Sequence, residues 1–191
     1  ALRRSAIGLL RIIIENKLSI KLRDLINYAI RLYEEQGVQI KNENTETEVF
    51  DFLKERMRNI LKLKNIKIDI IEASISSHNG DNFLDLYKKN LLMNKYINKD
   101  VGINAISSYK RASNITDKAE KKITGRPDAV LFRTEEEKIL FEKINEIRKA
   151  FTVKENNKDY ENLLIRLSET KQFTDNFFDN VVVNDENQDI K

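Results

Sequence analysis

Seven side chains between residues 105 and 126 have the types and spacing to hold a polyanion. Lys110, Arg111, Lys118, Lys121, Lys122 and Arg126 supply cations against Asp117 and Glu120, and Asn114 sits among them with an amide. Projected at about 100° per residue, Lys110, Asn114, Lys118 and Lys121 fall on one stripe of a helix, with Arg111 and Lys122 beside it. Ala105, Ala112, Ala119 and Ile123 fall roughly opposite. One face then packs and the other offers charge. Lys and Arg attract phosphates without regard to sequence, and an Asn amide can read a base edge. A merely solvated basic face is the competing reading of the same spacing. A second basic stretch, residues 54–67, carries Lys54, Arg56, Arg58, Lys62, Lys64 and Lys67 against Glu55.

Other chemistries find little support. His78, in SSHNGD, is the only histidine, so neither a metal site nor a Ser-His-Asp set has partners at workable spacing. No GxxxxGK[ST] or GxGxxG phosphate loop is present. Asp179 and Asp185 could be posed as general acid and base, but a solvated face with helix capping explains them. The absence of Cys removes disulfides and thiolate-bound metals. No cofactor is expected in this chain.

The elements that must position these residues are helices. The chain has 191 residues, of which 40% are hydrophobic and 34% charged, with 5 Gly and 1 Pro. So few turn formers leave little room for an all-β fold. The net charge is only +3, from 34 basic and 31 acidic residues, so distribution matters more than the sum. The longest apolar runs, such as LLRIII at 9–14, are too short to span a bilayer. No membrane role and a cytoplasmic location are expected.

Helical spacing predicts about eight helices in an all-α bundle. Ala1–Glu15 is apolar nearly all round. Leu22, Leu25, Ile26, Ala29, Ile30 and Tyr33 mark a second helix, ended by Gly37. The polar stretch 41–47 reads as a linker. Thr47 is placed to cap a helix that buries Phe50, Leu53, Met57, Ile60 and Leu61. Residues 65–77 mix strand and helix spacing, and helix is expected because no partner strand is evident. Asp81 is placed to cap a helix carrying Phe83, Leu84, Tyr87, Leu91 and Leu92. Thr134 and Glu137 form a capping box before a helix to about Phe151. Asn157–Glu169 is one more helix, and a last element starts at Thr174 or Asp175. The opening ALRRSAIGLLRIII and the closing QDIK lack capping signals, so a piece of a longer protein is expected.

The block TDNFFDNVVVNDEN at 174–187 sets Phe177, Phe178, Val181 and Val182 on one helical face among acidic residues. FFDNVVVNDEN resembles the FFDxVMVM-x-(D/E) signature of DALR-type anticodon-binding domains, and Tyr160 with ENLLIRLSETKQFTDNFFDNV agrees with its upstream spacing. DALR domains also occur in arginyl-tRNA synthetases. ALRRSAIGLLRIIIE and SYKRASNI resemble segments of the bacterial glycyl-tRNA synthetase beta subunit, in the same order. Phe173–Thr174 departs from the Pro-Val common there, and Asn184 from Met or Ala.

The resemblance implies the last helices of an HD-like region at 1–40, a linker at 41–47 and an anticodon-binding domain at 48–191. It implies a non-catalytic tRNA-binding part of glycine–tRNA ligase, with adenylation on a separate alpha subunit of a heterotetramer. The whole enzyme would use ATP (with Mg), and the partners would be tRNA(Gly) and the alpha subunit. Phe177, Phe178, Val181 and Val182 would pack the last helices, Thr174 or Asp175 would cap, and Asp179 would be a surface or helix-bonding group. Tyr96 and Tyr109 are candidates to stack on loop bases. Two alternatives remain: the anticodon-binding domain of an arginyl-type synthetase, or a non-enzymatic helical RNA or protein interaction module.

Overall fold

The computed structural model describes residues 1–77, 80–116, 127–152 and 159–181. Among them the regular elements are eight α-helices and one 3-10 turn, with no strand. The helices are α1 (Leu2–Glu15), α2 (Leu22–Glu35), α3 (Thr45–Leu63), α4 (Ile68–Ser77), α5 (Phe83–Tyr96), α6 (Asp100–Thr116), α7 (Glu135–Thr152) and α8 (Tyr160–Asn180). The all-α expectation holds. Two compact units divide the chain, Ala1–Asn94 and Lys95–Lys191, whereas the linker expected from sequence lies at 41–47.

In the first unit α1 and α2 pack on α3, and α3 packs on α4. The expected stripe on α3 is buried in full: Phe50, Leu53, Met57, Ile60 and Leu61. Phe50 meets Phe83 edge-on at 5.5 Å, in the geometry that aromatic quadrupoles favour. Helix α1 buries a narrower stripe than its composition suggests, namely Ala6, Leu10 and Ile13, and leaves Leu2 and Ile12 exposed. Helix α2 buries Leu22 and Ile26 but exposes Leu25 and Tyr33. Asn90 is fully buried and satisfied: it accepts from Ser74 Oγ and donates to the Leu86 carbonyl, as a buried amide requires.

Helix ends follow local chemistry. Gly37 adopts φ +78° after α2, and its amide donates to the Glu34 carbonyl. Residues 65–77 are helical from Ile68, as expected, and Asn65 takes the left-handed conformation that closes α3. Two expected caps shift by a residue or more. Helix α3 starts at Thr45, so Thr47 lies inside it. The Asp85 amide donates to Asn82 Oδ1, so Asn82 and not Asp81 caps α5; Asp81 instead accepts from the Leu22 amide through its carbonyl.

In the second unit α6 and α7 both pack on α8. The buried positions on α6 and α8 are mostly small: Gly102 and Ser108 on α6, and Ser168, Thr170 and Thr174 on α8 beside Leu163. The Ser168 and Thr170 hydroxyls donate to carbonyls of their own helix at 2.6 Å, which disposes of their polarity. The capping box is present. The Thr134 amide donates to Glu137 Oε2 at 2.7 Å, and the Glu137 amide donates to Thr134 Oγ1 at 3.3 Å. The two helices expected from Asn157 and from Thr174 are a single helix, α8, capped by Asp159, whose side chain accepts from the Asn162 amide. Thr174 and Asp175 are therefore interior to a helix and cap nothing.

Candidate nucleic-acid interface

Helix α6 carries the described part of the basic face. Lys110 and Asn114 are exposed and Arg111 is half-buried. At about 100° per residue, Lys110 lies roughly 160° round the helix from the buried Ser108, whereas Arg111 lies roughly 60° from it. The packed side of α6 runs through Gly102, Ala105 and Ser108; Ala112, expected on that side, is exposed. Lys118, Lys121, Lys122 and Arg126 lie outside the described residues, as do Ala119 and Ile123.

Arg111 faces α8. Its Nη1 donates to Asp175 Oδ1 at 2.8 Å and its Nη2 to Asp179 Oδ1 at 2.6 Å, with the guanidinium 5.3 Å from the centre of the Phe178 ring. Lys171 also donates to Asp175. Hydrogen bonds from Lys171 and then from Arg111 hold the Asp175 carboxyl below its ordinary range. The Arg111 guanidinium is pushed up by the bonds to Asp179 and Asp175. Charge-assisted bonds of this kind are the strong ones, so both arms of the fork are engaged within the protein. Of the three described residues in the expected set, Lys110 and Asn114 face solvent, while Arg111 joins two helices. The signal for this was present in the sequence: Lys171, Asp175 and Asp179 recur every four residues, so they share one stripe of α8.

The two candidate stacking residues differ. Tyr109, on α6, is 72% exposed. The Tyr96 hydroxyl donates to Glu161 Oε1, to which Lys95 Nζ also donates at 2.9 Å, and the amines of Lys95 and Lys99 lie 4.8 and 5.3 Å from the ring centre. The hydrogen bonds from Tyr96 and Lys95 lower the Glu161 carboxyl. Tyr109 is the aromatic surface free for a base.

The stretch 54–67 is partly neutralised where it lies. Arg58 donates from Nε and Nη2 to the two carboxylate oxygens of Glu72 at 2.8 and 2.9 Å and pairs with Glu55 as well. Arg56 lies over Phe52 and Lys54 near Phe50. Lys62, Lys64 and Lys67 remain exposed. Asp179 is bound to Arg111, and Asp185 and His78 lie outside the described residues. Among the described residues no group of three His, Cys, Asp or Glu could hold a metal ion, and no helix is long and apolar enough to cross a membrane.

Comparison with known proteins agrees with the arrangement at both ends. Residues 1–76 match the family model of the glycyl-tRNA synthetase beta subunit, and residues 105–191 match that of the DALR anticodon binding domain. The glycine–tRNA ligase beta subunit of Rickettsia canadensis (strain McKiel) is 40% identical over 97% of this chain, which covers 26% of that protein. Those of Rickettsia africae (strain ESF-5) and Rickettsia prowazekii (strain Madrid E) are 38% identical over 100% of this chain, which covers 27% of each. The chain thus spans about a quarter of the length of these relatives. Both family models are matched in chain order, and over nearly its whole length the chain is similar to one stretch of glycine–tRNA ligase beta subunits.

Proposed function

We propose that this chain is the anticodon-arm-binding part of a glycine–tRNA ligase beta subunit, acting in the cytoplasm. One observation carries the reading. The residues matched to an anticodon-binding family begin on α6, and there Lys110 and Asn114 are exposed, with Tyr109 beside them. Lys110 supplies phosphate attraction, Asn114 hydrogen bonds to an unpaired base, and Tyr109 a stacking surface for a loop base. Lys118, Lys121, Lys122 and Arg126 extend the footprint along the sequence. Arg111 serves it indirectly, by fixing α6 to α8. On this reading residues 1–40 close an HD-like region, 41–47 are a linker and 48–191 serve anticodon binding. ATP (with Mg) and glycine are handled by the alpha subunit, and this chain catalyses nothing itself.

The test is binding of the chain to glycine tRNA and to one non-cognate tRNA across a salt series. A steep fall of affinity with salt, together with preference for the glycine tRNA, is expected. Salt-sensitive binding without preference would remove the anticodon role and leave a general RNA-holding surface. No binding at low salt would remove RNA contact altogether.

A further inference from the structure

The turn between α3 and α4 carries three cations on a backbone that is closed on itself. The Asn65 amide donates to the Lys62 carbonyl at 3.0 Å and the Ile66 amide to the Leu61 carbonyl at 3.4 Å, with Asn65 in the left-handed conformation at φ 57°. Leu61 and Ile66 are both buried, as the apolar pair of such a helix stop should be. The Lys67 amide donates to Asn94 Oδ1 of α5 at 3.3 Å. The turn is thus pinned, while the side chains of Lys62, Lys64 and Lys67 are exposed. Their amines take part in no hydrogen bond or ion pair among the described residues. The acids that flank the turn in sequence are engaged elsewhere. Glu72 accepts with both oxygens from Arg58, Glu55 pairs with the same arginine, and Asp69 accepts from the Ile70 amide at 2.9 Å. A lysine in the last turn of a helix complements the dipole, which accounts for Lys62. Lys64 and Lys67 lie outside both helices, and the Leu61 and Lys62 carbonyls already have amide donors.

We propose that this turn is a second RNA-backbone contact of the chain, made to phosphates and separate from the α6 face. The inference rests on the tRNA-binding reading and adds to it a contact in the first unit. Each ammonium is a point charge that requires no fixed approach, so the contact supplies affinity and register but not base choice. Because the turn backbone is already ordered, binding has only the lysine side chains to order. Leu63 and Ile68, 78% and 54% exposed, flank the lysines, and an anionic membrane surface also attracts such a mixture. They sit at the ends of two helices, however, and not along one helical stripe, so they offer little to bury in lipid. RNA is the favoured occupant, since the turn lies within the residues that match the glycyl-tRNA synthetase beta-subunit model.

The test uses the full 191-residue chain and a glycine tRNA transcript across a salt series. One variant carries Lys62→Gln, Lys64→Gln and Lys67→Gln. A control carries Lys17→Gln, Lys21→Gln and Lys41→Gln, exposed lysines elsewhere in the first unit with the same loss of charge. Circular dichroism establishes that both are folded. The turn variant should bind about tenfold more weakly at low salt, with the slope of log affinity against log salt lowered by about 2–3, and the control should change both far less. Bound tRNA should also protect Lys62, Lys64 and Lys67 from acetylation, read by mass spectrometry. If the native chain binds tRNA with a steep slope but the turn variant matches it, or the control loses as much, this inference falls and the α6 reading stands. Loss of affinity without protection would overturn it too. No tRNA binding by the native chain would overturn both, and lysine-dependent binding to phosphatidylglycerol vesicles in place of tRNA would make a membrane the occupant.

Discussion

Gly102 is a position where one methyl group changes the packing. A Cβ built there would lie 2.2 Å from the Tyr96 carbonyl oxygen and 2.8 Å from its carbon. Both are backbone atoms, and the same oxygen accepts from the Lys99 amide, so neither can move aside cheaply. Gly8 in α1 is the opposite case, with nothing within 4 Å of the built Cβ. Alanine gains about 1 kcal/mol of helix propensity over glycine at either place. At Gly102 that gain is outweighed by overpacking of about 1–3 kcal/mol or more. Gly8→Ala should therefore raise the denaturation midpoint and Gly102→Ala should lower it, as read by chemical unfolding of the two variants. A stabilised Gly102→Ala would mean that the turn at 97–100 does not close on α6 as described. Sequence could not distinguish these glycines. Both sit at helical spacing, and the difference comes from a carbonyl brought round by a turn.

At the scale of elements, the Arg111 clamp is what ties α6 to α8 electrostatically. Its Asp175 side chain is 28% exposed and its Arg111 side chain 35%, so solvent weakens the pair. The Asp175 carboxyl lies below its ordinary 3.8 in the folded chain, first through Lys171 and then through Arg111. A carboxyl depressed in this way contributes stability above its unfolded value, and the contribution fades as pH falls through the folded one. Asp175→Asn should lower the melting temperature by a few degrees at neutral pH. The gap to the native chain should close as pH drops below about 4. A gap independent of pH would show that Asp175 acts through packing alone. Elements were legible where the signal is local: the Thr134–Glu137 box, the Gly37 stop and the α3 stripe each depend on residues within a turn or two. The continuity of α8 was not. Thr174–Asp175 reads as a start signal, but Thr174 is buried within the second unit and Asp175 bonded across to α6, and that tertiary use overrides the local preference. The same crossing turned Arg111 away from the face to which helical projection alone assigned it.

For the whole molecule, a net charge of +3 on 191 residues predicts weak general attraction to RNA, so affinity must depend on where cations are left unpaired. Several are not: Arg111, Arg58 and Arg23 each pair with carboxylates. Lys110 is exposed, with no ion pair among the described residues. Lys118, outside the described residues, follows it at helical spacing. Replacing both, Lys110→Glu with Lys118→Glu, should weaken tRNA binding and lower the slope of log affinity against log salt by about 1–2, roughly one phosphate contact per lysine. The melting temperature should stay near that of the native chain, because Lys110 is exposed on its helix and surface substitutions of this kind change stability little. Arg111→Gln should behave in the reverse sense: it leaves Asp175 and Asp179 without their shared cation, so it should lower thermal stability while the salt slope changes little. If the lysine pair left both affinity and slope unchanged, the α6 face would not be the RNA footprint. If Arg111→Gln removed as much slope as the lysines, the arginine would be a phosphate contact in the complex, and the clamp seen here would have to open on binding.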